Sequence, residues 1–149
     1  MNNVSDELAR IVNFAEPILR QVSDEYRGKP VLPGGWSRKQ VLGHLIDSAS
    51  NNHQRFVRAA LADSLDFPAY DTPGCVRVEA VDSAGWGMLV DLWASYNRYL
   101  AHVIRRLPAA KLEVPCRIGS GKPVTLAYLV EDYVRHLVHH LDQIGAAGS

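Results

Sequence analysis

Apolar side chains recur every three to four positions in four stretches of this 149-residue chain, the spacing that is typical of amphipathic α-helices. The first stretch predicts a helix from about Val4 to Tyr26, and Pro17 is expected to kink or split it because proline lacks an amide hydrogen. The second stretch predicts a helix that starts after Ser37 and continues to about Ala62. Gln40 completes the spacing of a capping box with Ser37, which supports this start.

Two further stretches predict helices in the second half of the chain. One runs from about Trp86 to Leu107 and is stopped by Pro108. The other begins after Thr125, whose hydroxyl suits an N-cap, and continues to about Ile144. The chain therefore contains four predicted helices, each with one apolar side to bury.

The connections between these helices differ in length. Residues 63–85, "DSLDFPAYDTPGCVRVEAVDSAG", predict a long crossover, with a short extended or helical piece near Val76 to Ala80. A connection of this length is often functional, such as a lid or the rim of an active site. The stretch "KLEVPCRIGSGKPVT" predicts a small hairpin. The prediction is an all-α fold, a four-helix bundle with a long loop between helices 2 and 3, and its topology stays open.

Composition and charge narrow the class of protein. The length fits one domain over residues 1–149, and 47% apolar with 21% charged residues is ordinary for a globular chain. The formal net charge is zero, so we expect neither a nucleic-acid nor a membrane partner. Cys75 and Cys116 match no metal-binding spacing, and we expect reduced thiols in a cytoplasmic protein.

Three of the six histidines lie close together in the last predicted helix, in "RHLVHHLDQI". On a helix, His136 is a neighbour of both His139 and His140, three and four positions away, so the spacing allows two pairs. His136 and His140 lie at the border of the apolar stripe and are expected to face inward. Such a pair can hold a metal ion. It can also be a solvated helix end, where positive charge suits the helix dipole.

The second predicted helix offers His44 in an apolar setting, "LGHLIDSASNNHQRF". Asp47, Ser48 and Asn51 follow it along the same face, whereas His53 lies about 180° away around the helix. His44 is therefore a candidate third ligand. The alternative is a histidine that is buried and hydrogen-bonded in the core.

Two stretches carry a resemblance to a known family: "GWSRKQVLGHLIDSASNNHQRF" and "HLVHHLDQI". With the helix layout, they resemble the DinB-like (DinB/YfiT) superfamily of bacterial four-helix-bundle proteins, which includes metal-dependent hydrolases. The resemblance implies that His44, His136 and His140 bind a divalent metal and that His139 does not. It also implies pairing as a homodimer, for which the sequence itself shows no interface.

Three neutral imidazoles leave a ligand position open, which is typical of catalytic zinc, although nickel, iron or manganese can also take three nitrogens. The resemblance implies a hydrolase-like enzyme that uses metal-activated water on a small-molecule substrate. The alternatives are an S-transferase that depends on a low-molecular-weight thiol, a non-catalytic metal-binding or stress-response bundle, and a metal-free interaction module. Asp47 is the candidate catalytic base or partner of a ligand, and the alternative for it is a surface or capping carboxylate. Gln143 is placed to bond a ligand imidazole, or it only makes the helix end polar. Tyr133 is expected to pack.

Overall fold

A computed structural model describes residues 1–147 and confirms the four predicted long helices. In chain order the helices are α1 (Asn2–Gln21), α2 (Asp24–Arg27), α3 (Arg38–Ala60), α4 (Thr72–Val78), α5 (Trp86–Arg105) and α6 (Leu126–Gln143). The strands are β1 (Leu65–Phe67), β2 (Pro115–Ile118) and β3 (Val124–Thr125). Within residues 1–147, no helix combines the length and the hydropathy needed to cross a membrane.

The first helix differs from its prediction at the C-terminal end. Pro17 lies inside α1 and does not split it. The break comes later, where Val22 and Ser23 adopt extended backbone angles and the chain turns into the single turn of α2. The Arg27 side chain donates to the Val22 carbonyl across this break. The apolar spacing continues across the break and therefore predicted one helix instead of two.

The N-terminus of α3 is fixed as the sequence predicted. The Ser37 hydroxyl accepts from the Gln40 amide, and the Gln40 side chain accepts from the Ser37 amide, so the capping box is complete. The Ser37 hydroxyl and the Gln40 side-chain amide also donate to the Asp82 carboxylate, at the end of the crossover. These bonds hold the crossover against the start of α3.

The long helices form a ring in which α1 packs on α5 and α6, and α3 packs on the same two helices. Consecutive long helices α1 and α3 are therefore diagonal to each other. In an up-down-up-down bundle with short loops, consecutive helices would be neighbours. The arrangement places α3 beside α6, and so brings the two histidine-bearing helices together.

A small sheet covers one part of the bundle. The predicted hairpin is confirmed as the antiparallel pair β2 and β3. The strand β1, which comes from the crossover, pairs in parallel with β2, and its Leu65 lies opposite Cys116. The sequence did not predict this pairing. The crossover as a whole consists of β1, α4 and a short 3-10 turn. All three pack along α3.

Gly43, which directly precedes His44, lies where the crossover touches α3. A Cβ atom at this position would lie 2.7 Å from both methyl carbons of Val81. Gly43→Ala is expected to lower the free energy of unfolding by about 1–2 kcal/mol, because the overlap outweighs the helix propensity gained. Urea unfolding measures the change.

The matched control for this substitution is Gly87→Ala in α5, where a Cβ would meet nothing within 4 Å and the stability should not fall. In the double variant Gly43→Ala/Val81→Ala the loss should be smaller than the sum of the single losses, since alanine makes room. Equal losses in Gly43→Ala and Gly87→Ala would contradict the close contact with Val81.

Candidate metal centre

Three histidine side chains from two adjacent helices meet beside the core. His44 projects from α3, and His136 and His140 project from successive turns of α6. The Nε2 atom of His136 lies 3.2 Å from that of His44 and 3.1 Å from that of His140. One ring nitrogen from each of the three lies within 4.8 Å of the others, so the structure brings together the three histidines that the family resemblance singled out.

The spacing of these nitrogens fits a divalent ion. Two imidazole nitrogens that bind one ion at ~2.0–2.1 Å, with a tetrahedral or octahedral angle between them, lie roughly 2.9–3.4 Å apart. The two shortest separations, 3.1 and 3.2 Å, fall in this range. Neutral imidazole is a common ligand of first-row metals. The donor set therefore fits a cation and does not identify the metal.

Burial keeps these imidazoles neutral. His44 is only 5% exposed, and burial, together with the neighbouring His136 and His140, lowers its pKa to about 3. Burial and the neighbouring His140 lower the pKa of His136 to about 4. Burial also lowers the pKa of His140. All three rings therefore present a lone pair, and not a positive charge, at neutral pH.

Gln143 fixes the orientation of His140. The His140 Nδ1–H donates to the Gln143 side-chain oxygen over 2.8 Å, which leaves the lone pair of His140 on Nε2, the atom that faces the other histidines. The Gln143 side-chain amide donates in turn to Nε2 of His139. His139 is exposed and lies outside the three-histidine cluster. The interaction expected of Gln143 is therefore present. His139 contacts His140 from outside the cluster, through Gln143 and through its own ring, whose centroid lies 5.2 Å from that of His140.

Gln143→Leu is expected to weaken metal binding by about 10–100-fold, because the apolar leucine cannot accept the His140 proton and no longer fixes its tautomer. Titration of the metal-free protein with zinc against a chromophoric chelator measures the change. His139→Ala, which leaves the bond between His140 and Gln143 in place, should change the affinity much less. Equal affinity in wild type and Gln143→Leu would show that this bond does not tune the site.

The other two histidines of the cluster lack such support within residues 1–147. The Nδ1 atoms of His44 and His136 are buried and have no hydrogen-bond partner there. The His44 ring instead packs against the indole of Trp36, with 5.3 Å between the ring centroids. Trp36 was not singled out as a site residue from the sequence, although it stands in the "GWS" motif just before α3.

Asp47 lies on α3, one turn after His44, and faces the crossover. Its Oδ2 atom is buried and has no hydrogen-bond partner within residues 1–147. Burial and the neighbouring carboxyl of Glu79 raise the pKa of Asp47 to about 7. Burial also raises the pKa of Tyr70, on which Asp47 acts in the same direction. Glu79 and Tyr70 belong to the crossover and approach Asp47 only in the folded chain. The spacing of residues along α3 therefore could not have shown that they lie beside Asp47.

The remaining candidates lie away from the three histidines. His53 points toward α5, where its Nδ1 lies 3.1 Å from the hydroxyl of Tyr96, in agreement with the predicted opposite face. Tyr133 is buried and donates its hydroxyl proton to Asn97, so it packs in the core as expected. Cys75 and Cys116 are free thiols.

Comparisons with known proteins show the family of this chain. The sequence model of the DinB superfamily matches residues 7–144. A protein of Bacillus pumilus (strain SAFR-032), named "Putative metal-dependent hydrolase", is 28% identical over 141 residues, which cover 93% of this chain and 79% of that protein.

Two solved structures share the fold. YfiT from Bacillus subtilis, described as a probable metal-dependent hydrolase with an unusual four-helix bundle topology, has a TM-score of 0.69 at 20% identity and covers 96% of this chain and 89% of its own. The mycothiol-dependent maleylpyruvate isomerase has a TM-score of 0.78 at 17% identity. All of this chain is covered in that comparison, but only 62% of the isomerase. Because the family match extends over nearly the whole chain, this protein belongs to the DinB superfamily.

Proposed function

We propose that this protein is a metal-dependent enzyme of the hydrolase type, with His44, His136 and His140 as the metal ligands. The observation that carries the proposal is the convergence of their ring nitrogens, with two separations of 3.1 and 3.2 Å. The likeness to the Bacillus pumilus protein named "Putative metal-dependent hydrolase" supports it. Three protein ligands, and not four, are typical of catalytic zinc sites.

A divalent ion held there would supply Lewis-acid chemistry, lowering the pKa of a coordinated water toward ~7 or polarising a substrate oxygen. The chain's own contribution is to hold three neutral imidazoles in place before the ion binds. His44 is held by its burial on α3, and His140 by its bond to Gln143. Because these groups need not lose a proton at neutral pH, ion binding does not compete with protons there.

We assign Asp47 the role of general base. A carboxyl group whose pKa lies near neutrality can accept a proton in the reaction and release it afterwards, whereas an ordinary aspartate is a much weaker base. Burial and the carboxyl of Glu79 raise the pKa of Asp47. Glu79, which belongs to the crossover, would therefore set the strength of the base. The position of Asp47, one helical turn from His44, supports the assignment.

The alternative reaction at the same site is transfer to or from a low-molecular-weight thiol. The observation that favours it is the fold shared over the whole chain with a mycothiol-dependent isomerase. The same three imidazoles would then hold an ion that binds a thiolate, and Asp47 would take the thiol proton. A third outcome, a bundle that binds metal without catalysis, would show metal uptake and no turnover.

A turnover screen on untagged protein, loaded in parallel with Zn²⁺, Ni²⁺, Fe²⁺ and Mn²⁺, tests these reactions with esters, amides, and thiols plus an electrophile. We expect metal-dependent turnover that His136→Ala abolishes. Asp47→Asn should keep its metal and lower kcat by about 10²–10⁴-fold, the usual contribution of a positioned base.

The matched control is Asp142→Asn, which changes an exposed aspartate on α6 and should leave turnover unchanged. Turnover that persists in His136→Ala would refute the enzyme assignment at this site. Full activity in Asp47→Asn would show that Asp47 is not the base, and it would leave the assignment of the metal ligands unchanged.

A further inference from the structure

A cavity of about 220 Å³ opens beside His140 and Gln143. Its other walls come from the loop before α3 and the start of that helix, and they include Val31, Leu32, Trp36 and Val41. The loop is closed by the Val31 amide, which donates to the Trp36 carbonyl. The fold therefore fixes the walls of this cavity. One wall is His140, which is also a ligand of the proposed metal centre.

The lining of this cavity carries no formal charge. It consists of aliphatic and aromatic side chains and a glycine, and its polar groups are the His140 ring and the Gln143 amide. Gln143 already accepts from His140 and donates to His139, so half of its hydrogen-bonding capacity is used. A charged group would lose its hydration here without gaining an opposite charge, whereas an apolar group would be removed from water.

We propose that this cavity binds an uncharged, apolar arm of the substrate whose reacting group lies at the three histidines. The inference rests on the proposed function and adds the substrate class: small molecules with a short acyl chain or a single aromatic ring next to the reacting group. The volume equals roughly that of seven water molecules in the liquid. It is smaller than the roughly 300–1,000 Å³ of pockets that enclose a whole ligand, so the cavity takes one arm.

Trp36 connects the cavity with the proposed metal centre. The indole lines the cavity and also packs against the ring of His44, at 5.3 Å between centroids. His140 also lines the cavity, and its Nε2 atom lies 3.1 Å from that of His136. An arm seated against Trp36 and His140 therefore contacts one side chain that packs on His44 and one that is itself a ligand of the proposed metal centre. Its attached reacting group has a short path to that centre.

Binding of alkyl hydroxamates to the zinc-loaded protein tests the cavity without requiring turnover. Acetohydroxamate, butyrohydroxamate and hexanohydroxamate share a zinc-binding group and differ only in the apolar arm. Calorimetry should show affinity rising about fourfold per methylene that enters the cavity, the value expected for burial of one CH₂ group. Succinic monohydroxamate, whose arm ends in a carboxylate, should bind no more tightly than acetohydroxamate.

Leu32→Glu adds a charge at the cavity mouth and should abolish the gain with chain length while acetohydroxamate binding is kept. Leu32 is 63% exposed, so the fold should tolerate the change. Leu61→Glu is the matched control, since Leu61 is 82% exposed and does not line the cavity, and it should keep the full gain.

The outcomes separate the two proposals. A protein that takes up zinc and binds acetohydroxamate, but shows no gain with chain length, overturns the cavity and leaves the metal centre intact. A gain that is equal in wild type and Leu32→Glu also overturns the cavity. Failure to take up zinc overturns the metal centre and, with it, the inference that rests on it.

Discussion

His136→Ala is expected to abolish stoichiometric binding of a divalent metal. The Nε2 atom of His136 is the central nitrogen of the cluster, within about 3 Å of the corresponding atoms of His44 and His140. Its loss leaves two ligands on different helices. If four ligands of a structural zinc site together supply about 10–16 kcal/mol, one ligand is worth roughly 10²–10³-fold in affinity.

Elemental analysis of untagged protein after dialysis measures the metal content directly. Thermal unfolding gives a second measurement, because a metal that binds only the folded chain stabilises it by about 4 kcal/mol at a thousandfold excess over Kd. For a chain of this size that is a rise in Tm of roughly 8–16 °C. We expect this rise in wild type and its loss in His136→Ala.

Histidines outside the cluster provide the controls. His53→Ala and His102→Ala should retain the metal, since neither belongs to the cluster of three. His44→Ala should behave like His136→Ala. Retention of full metal content in both His44→Ala and His136→Ala would show that the three histidines pack in the bundle without binding metal.

The metal-free protein is expected to lose stability as the pH falls below about 6.5. In the unfolded chain the histidines take up a proton near pH 6.5. In the folded chain burial lowers the pKa of His44 to about 3 and that of His136 to about 4. Between these values the unfolded state binds more protons than the folded state, so acid favours unfolding. The two histidines together would remove about 5 kcal/mol between pH 6.5 and pH 4.

Asp47 acts in the opposite direction over part of the same range. Its pKa is raised to about 7 by burial and by Glu79, so the folded state takes up a proton that the unfolded state binds only near pH 4. This uptake stabilises the folded state as the pH falls, by about 2 kcal/mol once solvent screening of a half-buried group is allowed for. The net loss is then about 3 kcal/mol, a large fraction of an ordinary stability of about 5–15 kcal/mol.

Urea unfolding in the presence of a chelator, at intervals from pH 7.5 to pH 4.5, measures this dependence. Asp47→Asn should make the loss steeper, because it removes the opposing group. His44→Gln should make the loss shallower, because it removes the more strongly shifted histidine. A free energy of unfolding that is constant over this range, with slopes unchanged in both variants, would contradict the assigned pKa shifts.

Excess zinc should raise the stability by a similar amount over most of this range, because His44 and His136 stay deprotonated in the folded chain. The metal requires deprotonated ligands, so the added stability should be lost as the pH falls to about 4, where His136 takes up a proton.

The sequence by itself determined the local features of this protein. Apolar spacing at the helical period predicted the four long helices, and Ser37 with Gln40 predicted the start of α3, because both depend on contacts within a few residues. Helical geometry also made His136 and His140 neighbours, whatever the rest of the chain does. The same spacing could not show where α1 ends, since it continues across the extended backbone at Val22.

Only the tertiary structure decided which distant residues meet. His44 is 92 positions from His136, and their contact requires α3 and α6 to be neighbours in the bundle. The parallel pairing of β1 with β2, the carboxyl of Glu79 beside Asp47, and the cavity between Trp36 and His140 all depend likewise on how the crossover and the loop before α3 pack. Periodicity records which face of a helix is buried, but not against which partner, because many apolar surfaces can cover the same stripe.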